Sequence, residues 1–434
     1  MSKAIPFSLD GDSLQGQEGD TVASALLRAG VTTFTRSIKY HRPRGPFCLA
    51  GSCGQCLMRV DGVPSLLACR TPLAPGMKCT RQNGPIGVEQ DLLRAADFLF
   101  PSGLDHHHLM VQSRLLGRVV LEVARRLTGL GELPDAPAPQ LQGRLTSARL
   151  VVIGAGPAGL AAARAAAEAG AQVVLLERNL LLGGSVLWQL DPELPGEAWI
   201  AEQERAIVAA GGRIERGAEV VGLYPNDTGA GNGPALLAVR GPERLDAIIA
   251  HHVLVATGGT AQPLPFPGVD RPGVYAARGL LALFVHTGVR IGESLAVVGH
   301  GRELTDCARA LERIGYKLAR LVDATPTRAL GNPVRALEVQ GERIACDAVA
   351  LAHPPAPLHD LASSVGAAAH FDAELNGFPL AIDEQGRTTV SWIWAAGRAA
   401  GQGGARAIAS GELAGRSAGA LSGALSGALS GALR

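Results

Sequence analysis

The sequence predicts a multidomain α/β protein, on three observations. From Arg149 onward strand-like and helix-like runs alternate, the pattern of a parallel sheet with crossover helices. Glycine supplies 56 of the 434 residues without an every-third-residue period, so the excess serves turns and close backbone approaches rather than a collagen. Five of the seven cysteines crowd into the stretch Cys48–Cys79, which sets an N-terminal region apart. The length allows roughly two to four domains, each with an ample core.

Composition narrows the function classes. Hydrophobic residues make up 47% and charged residues 18%, which excludes a disordered, solvating chain. Lys+Arg 40 against Asp+Glu 39 leaves a net charge of +1, so neither nucleic acid nor an anionic membrane is expected as a partner. Aromatic residues, at 4%, are too few for a β-sandwich. The start, Met1–Ser13, lacks a basic region followed by an apolar one, so no signal peptide is expected. No apolar run reaches about 18 residues, so no transmembrane segment is expected. An odd, clustered cysteine count in such a chain points to metal rather than disulfides and to a cytoplasmic location.

The chain then divides by composition. Residues 1–92 hold the cysteines and short alternating segments. Residues 93–146 form a connector with a helical pattern over Leu109–Leu127 and a proline-rich linker, Leu133–Gln140. Residues 147–265 and 385–420 make one dinucleotide-binding domain, 266–384 a second one nested within it, and 421–434 a low-complexity tail. The tail repeats Ala-Leu-Ser-Gly and reads as an extension of the last helix, weakened by a glycine in every turn.

In the first region the spacing Cys48-x4-Cys53-x2-Cys56-x12-Cys69 is the start of a plant-type [2Fe–2S] arrangement. Gly51 and Gly54 within the loop suit positive φ and leave backbone N–H groups to point at sulfur. The basic segment Arg36–Arg44 would offset the cluster's charge. A zinc knuckle competes, but only Cys53 and Cys56 form a CxxC pair. Cys79 competes with Cys69 as fourth ligand; the strand-like Leu66–Cys69 run favours Cys69. Cys307 and Cys346 read as core thiols.

The next element, Arg149–Ile153, is a buried-strand pattern. It runs into Gly154-Ala155-Gly156-Pro157-Ala158-Gly159, a helix over Leu160–Ala169, and a second strand ending at Glu177. The first glycine makes the turn, the second admits a pyrophosphate and the third lets helix meet strand. Glu177 accepts from ribose hydroxyls and repels a 2′-phosphate, so FAD or NAD fits better than NADP. Gly183-Gly184 and the strand exit Leu254–Gly259 favour FAD. The expected cofactor-binding set is Gly154, Gly156, Pro157, Ala158, Gly159, Glu177, Arg178, Gly184, Thr257, Gly258, Gly397 and Arg398.

A second unit follows: strand Ser294–Val298, turn Gly299-His300-Gly301, helix Thr305–Ile314, strand Arg320–Val322 and an acid, Asp323. Leu304 stands where the third glycine belongs, so an NAD site and a structural relic both remain open. Arg302 is a phosphate candidate, and His300 either approaches a ligand or is solvated. His106-His107-His108 reads as a linker or subunit contact, since adjacent histidines cannot all face one ion.

Several stretches together resemble the alpha subunits of heteromeric sarcosine oxidase and the related opine and proline dehydrogenases and hydrogen cyanide synthase. They are Phe7–Asp12, Gly19–Leu27, Arg36–Gly45, Cys48–Cys69, Leu104–Pro134, Gly154–Gly159 and Ala256–Gly259. The resemblance implies a β-grasp-like [2Fe–2S] domain, a helical connector, and a Rossmann-type FAD/NAD-binding domain with a nested Rossmann-like unit. It also implies a beta-subunit partner of the glycine/sarcosine oxidase type, a further small subunit, and FMN at the interface with the partner. The expected function is electron transfer between the partner's flavin and the cluster in an amino-acid or secondary-amine dehydrogenase. A self-contained NADH-dependent ferredoxin-type reductase and a non-catalytic nucleotide-binding scaffold are the alternatives. No catalytic residue is named. Ala396-Gly397-Arg398 departs from the Gly-Asp of such domains: arginine cannot accept a ribityl hydrogen bond, so it would pair with a pyrophosphate, or the site would hold NAD or an adenine nucleotide.

Overall fold

The computed structural model describes residues 3–37, 42–83, 133–134, 137, 140–188, 194–227, 234–241 and 244–431. Lys39–His41, the histidine triplet and the predicted connector helix lie outside these. The longer described helices are, in chain order, α1 (Val22–Arg28), α2 (Pro157–Glu168), α3 (Glu197–Ala209), α4 (Ala277–Thr287), α5 (Gly301–Arg313) and α6 (Ala405–Gly431). The chain forms two compact units, Met1–Ala138 with Pro263–His353, and Pro139–Gln262 with Pro354–Arg434.

In the first unit, the N-terminal part is a five-stranded sheet in the order Asp12–Gln17, Ala4–Leu9, Lys78–Thr80, Leu57–Val60, Val63–Leu67. Alternation in Ala4–Leu9 puts Ile5, Phe7 and Leu9 into the core. Helix α1 starts at a capping box in which Thr21 and Ser24 exchange hydrogen bonds. Asp20, just before it, is 4% exposed. It is satisfied by Gln17 N–H, Ser24 Oγ and the Arg28 guanidinium. That pairing is what a buried carboxylate requires.

The inserted part has parallel strands in the order Val274–Ala276, Ala348–Ala352, Ser294–Gly299, Lys317–Val322, and a three-stranded antiparallel sheet over Arg328–Ala345. Two details differ from expectation. Helix α5 begins at Gly301 rather than Thr305, with His300 as its N-cap, so the turn feeds directly into the helix. Residues 354–384 do not belong to this part. Ala362, Ala367 and Leu380 bury in the core of the other unit, where they find an apolar sheet face.

That second unit is a seven-stranded sheet. Its central strand, Leu145–Ile153, lies parallel between Val173–Glu177 and the long strand Leu245–Val255. The last three residues of Leu245–Val255 also pair in parallel with Ile393–Ala395. Helices α2 and α6 cross on a stripe of small residues. A Cβ on Gly411 or Gly415 would overlap the carbonyl oxygen of Ala158 or Ala162, and one on Gly419 would lie 2.9 Å from Ala166 Cα. Helix α6 continues as helix through the repeats to Gly431.

Candidate functional site

Four cysteines gather in the N-terminal part. The ladder sets Leu57 opposite Leu67, and Ala68 N–H donates to Cys56 O at 3.1 Å, so Cys56 and Cys69 arrive side by side. Cys48, Cys56 and Cys69 are buried and Cys53 is half-buried. Their side chains contact in pairs: Cys48 with Cys53, Cys56 with Cys69, and Cys48 with Cys69. The loop before Cys56 turns through Leu49, Gly51 and Gly54, whose φ angles are +52°, +80° and +65°. This aims the N–H groups of Ala50 and Ser52 at Cys48 Sγ, at 3.4 and 3.3 Å. The glycine conformations match the expectation; the left-handed Leu49 carried no sequence signal.

The thiols are electrostatically unequal. Hydrogen bonds from Cys53 and Cys69, then from Ser52 and Ala50, hold Cys48 well below the usual thiol range, and Cys69 lowers Cys56. Cys53 and Cys69, as the donors, are pushed up. Cys48 and Cys56 are thus the thiols biased toward the thiolate, the form a metal takes. Among the described residues no three His, Cys, Asp or Glu side chains converge as ligands of one ion. Four thiols in one contacting row, with no three gathered about a single point, suit a two-iron centre better than a single zinc. Cys79 sits instead in the ladder opposite Leu9 and Val60, where burial and then Asp61 and Asp10 push it up to about 11.

Two arginines of the basic segment face a carboxylate of the inserted part. Arg44 pairs with Asp270 at 3.0 Å, and Arg42 approaches the same carboxylate at 3.7 Å. An opposing carboxylate has claimed both charges.

In the second unit, strand Leu145–Ile153 delivers the glycine turn at the C-terminal end of the sheet. A Cβ on Gly159 would overlap Gly154 O, so the third glycine is required for helix to meet strand. Gly156 faces open space and is the N-cap of α2 with no side-chain hydrogen bond, and Pro157 fills the first turn. The first N–H groups of α2 are thus left for an anion. Glu177 is 8% exposed and accepts from Ala155 N–H and Asn179 N–H, each at 2.8 Å. Each carboxylate oxygen keeps a further lone pair for a hydroxyl.

The remaining predicted residues frame this turn. Gly183 N–H donates to Ala155 O, and Gly184 lies against Gly156, where a Cβ would come within 3.1 Å. Thr257 Oγ1 donates to Leu358 O at 2.8 Å, and Gly258 faces open space. Gly397 N–H donates to Ser410 Oγ of α6. The Arg398 side chain runs beside Gly259 and Gly403, and Arg178 is half-buried. Sequence reading missed the Gly411/Gly415/Gly419 stripe that presses α6 onto α2. Its four-residue spacing was a usable signal.

The second turn is built differently. His300 Nδ1 lies 2.7 Å from Asp323 Oδ1, so the acid that would meet a ribose already has a partner. Arg302, expected to approach a phosphate, pairs with Asp306 one helical turn on at 3.2 Å. Leu304, 5% exposed, packs into the core at the third-glycine position.

Comparison with known proteins agrees with this geometry. Residues 2–84 match the 2Fe-2S iron-sulfur cluster binding domain, and residues 148–337 match the pyridine nucleotide-disulphide oxidoreductase family. Sarcosine oxidase subunit alpha from Rhizobium meliloti (strain 1021) is 30% identical over 86% of this chain, and the match covers 42% of that protein. Hydrogen cyanide synthase subunit HcnA from Pseudomonas aeruginosa is 30% identical over 21% of this chain and 86% of its own length. The crystal structure of L-proline dehydrogenase from P. horikoshii superposes with a TM-score of 0.72 at 21% identity, covering 97% of this chain and 73% of that one. The chain therefore spans less than half the length of the sarcosine oxidase subunit it matches. Among the described residues no helix is long and apolar enough to cross a membrane.

Proposed function

The chain belongs to the family of the sarcosine oxidase alpha subunits and hydrogen cyanide synthase subunits, and from that premise we propose that it is the electron-transferring alpha-type subunit of a heteromeric, flavin-dependent amino-acid or secondary-amine dehydrogenase. It is an oxidoreductase, and its two domain families indicate a [2Fe–2S] cluster and FAD. The observation that carries the reading is one chain holding both a paired-thiol cradle and an open dinucleotide turn. When bound, a flavin handles electrons two at a time and a [2Fe–2S] cluster one at a time, so the pair converts one currency to the other.

The chain's own residues have defined tasks in this reading. Cys48, Cys53, Cys56 and Cys69 would hold the cluster. The N–H groups of Ala50 and Ser52 neutralise charge on the Cys48 sulfur. The bare N-terminus of α2 would hold the pyrophosphate, and Glu177, which fixes Ala155 in place, would hold the ribose. Thr257 and Gly258 line the chain exit, and the guanidinium of Arg398 supplies positive charge beside Gly259 and Gly403. The amine is oxidised on a partner subunit of the glycine/sarcosine oxidase type. The reductase alternative is disfavoured by Leu304 at the third-glycine position and by Asp323, which already faces His300.

Anaerobic purification of the chain alone and with such a partner tests this. The isolated chain is expected to carry iron, acid-labile sulfide and released FAD, and to stay oxidised when NADH is added. With the partner present, a secondary amine should bleach the visible spectrum. Bleaching of the isolated chain by NADH would overturn the assignment in favour of the reductase.

A further inference from the structure

The inserted part touches the cysteine loop directly. Ala276 N–H, at the entry to α4, donates to Phe47 O at 3.0 Å. In the first turn of α4, Gly279 lies against the Cys48 peptide: a Cβ there would sit 2.5 Å from Cys48 O and 3.0 Å from Cys48 C. No Cβ tolerates that distance to backbone, so glycine is what lets the helix seat on the loop.

The helix is itself held in rotation. Arg278, adjacent to Gly279, is half-buried and makes a two-pronged contact with Glu303 of α5 at 2.6 and 2.9 Å. On the other side of the seam, Arg44 pairs with Asp270 and Arg28 donates to Thr287 O at 2.9 Å. The contacts thus run from one end of α4 to the other, with Gly279 at the cysteine.

We infer that the inserted part clamps the cysteine loop, and that Gly279 is a positioning residue for the cluster held through Cys48. This rests on the reading of the four cysteines as cluster ligands. It gives the inserted part a task that needs no nucleotide, which fits a turn with Leu304 at the third-glycine position and Asp323 already paired with His300.

The test compares wild type, Gly279→Ala, Gly279→Val and Val285→Ala, the last being a half-buried residue further along the same helix. Each is purified anaerobically as the full chain. Iron and sulfide per chain, the electron paramagnetic resonance spectrum of the reduced cluster, its midpoint potential and bound FAD are measured. Graded change is expected: altered g-values and potential in Gly279→Ala, and about tenfold or greater loss of cluster in Gly279→Val. FAD per chain should hold in both, and Val285→Ala should match wild type throughout. Wild-type spectra and potential in Gly279→Val would overturn the clamp while leaving the cluster reading intact. A parallel loss of FAD would overturn it too, by showing general misfolding. A wild-type chain without iron would remove the cluster reading itself, and the clamp with it.

Discussion

Two strand–turn–helix units in this chain begin alike: Leu145–Ile153 runs into Gly154 and α2, and Ser294–Gly299 runs into Gly301 and α5. From there they part. The first keeps Gly159 where helix must meet strand; the second buries Leu304 at that place. The acid of the first, Glu177, is held by backbone N–H groups and keeps lone pairs to offer, whereas Asp323 already faces His300. Helix α2 is pressed by the glycine stripe of α6, while α5 is tied to α4 through Glu303 and Arg278. A glycine fingerprint therefore reports a tight turn. Whether that turn receives a phosphate depends on the third position and on what the acid is already doing.

The sharpest way to break this comparison is to exchange the third positions. Gly159→Val forces a side chain into Gly154 O and pushes α2 off the sheet. It should cost about 3 kcal/mol or more and abolish bound FAD. Denaturant unfolding and the flavin released per chain measure both. Leu304→Val, in the other turn, should cost only about 1 kcal/mol and leave FAD and NADH behaviour unchanged. Equal effects at the two sites would erase the distinction.

Next in size is the helix crossing. Gly415→Leu would drive a side chain into the Ala162 carbonyl. The expected loss is about 2–3 kcal/mol, with weaker FAD retention because α2 carries the phosphate turn. Preserved flavin content would show that α6 only covers α2 and does not position it.

These features were unevenly legible in the sequence. The Gly154 turn, its strand, its helix and Glu177 were readable because all lie within one short stretch and obey a local spacing rule. The cysteine spacing was readable for the same reason, while the preference for Cys69 over Cys79 came from the strand-like Leu66–Cys69 run; Cys79 lies in the ladder opposite Leu9 and Val60. Contacts made across long sequence gaps were not readable. Gly411 against Ala158, Gly279 against Cys48 and Asp270 against Arg44 depend on which surfaces the fold brings together, and no local pattern encodes that. The last of these shows where the charge of Arg44 is spent, which the basic run alone did not indicate. The reach of residues 354–384 misled in the same way, since their apolar residues gave no sign of which sheet they would cover.

A smaller change sharpens the role of the acid. In Glu177→Gln the side-chain NH2 must face either Ala155 N–H or Asn179 N–H, donor against donor. Losing that hydrogen bond costs about 1–3 kcal/mol. FAD affinity should fall by roughly tenfold to a hundredfold, since each factor of ten is about 1.4 kcal/mol. Cluster content should not move. Equilibrium dialysis of FAD, with iron per chain measured in parallel, separates the two.

The smallest effect is expected at the second turn, and it is the most discriminating. His300 and Asp323 are 53% and 66% exposed at their side chains, so the pair between them contributes at most about 1 kcal/mol. His300→Ala should therefore leave unfolding nearly unchanged. It does, however, release the carboxylate that stands where a ribose would bind. If only that histidine blocks a working nucleotide site, the variant should gain measurable NADH binding by calorimetry. We expect no gain, because Leu304 still fills the third-glycine position and Arg302 still faces Asp306. A double variant, His300→Ala with Leu304→Gly, carries the question to its limit. Binding restored there, but not in the single variant, would assign the lack of binding to the leucine rather than to the His300–Asp323 hydrogen bond.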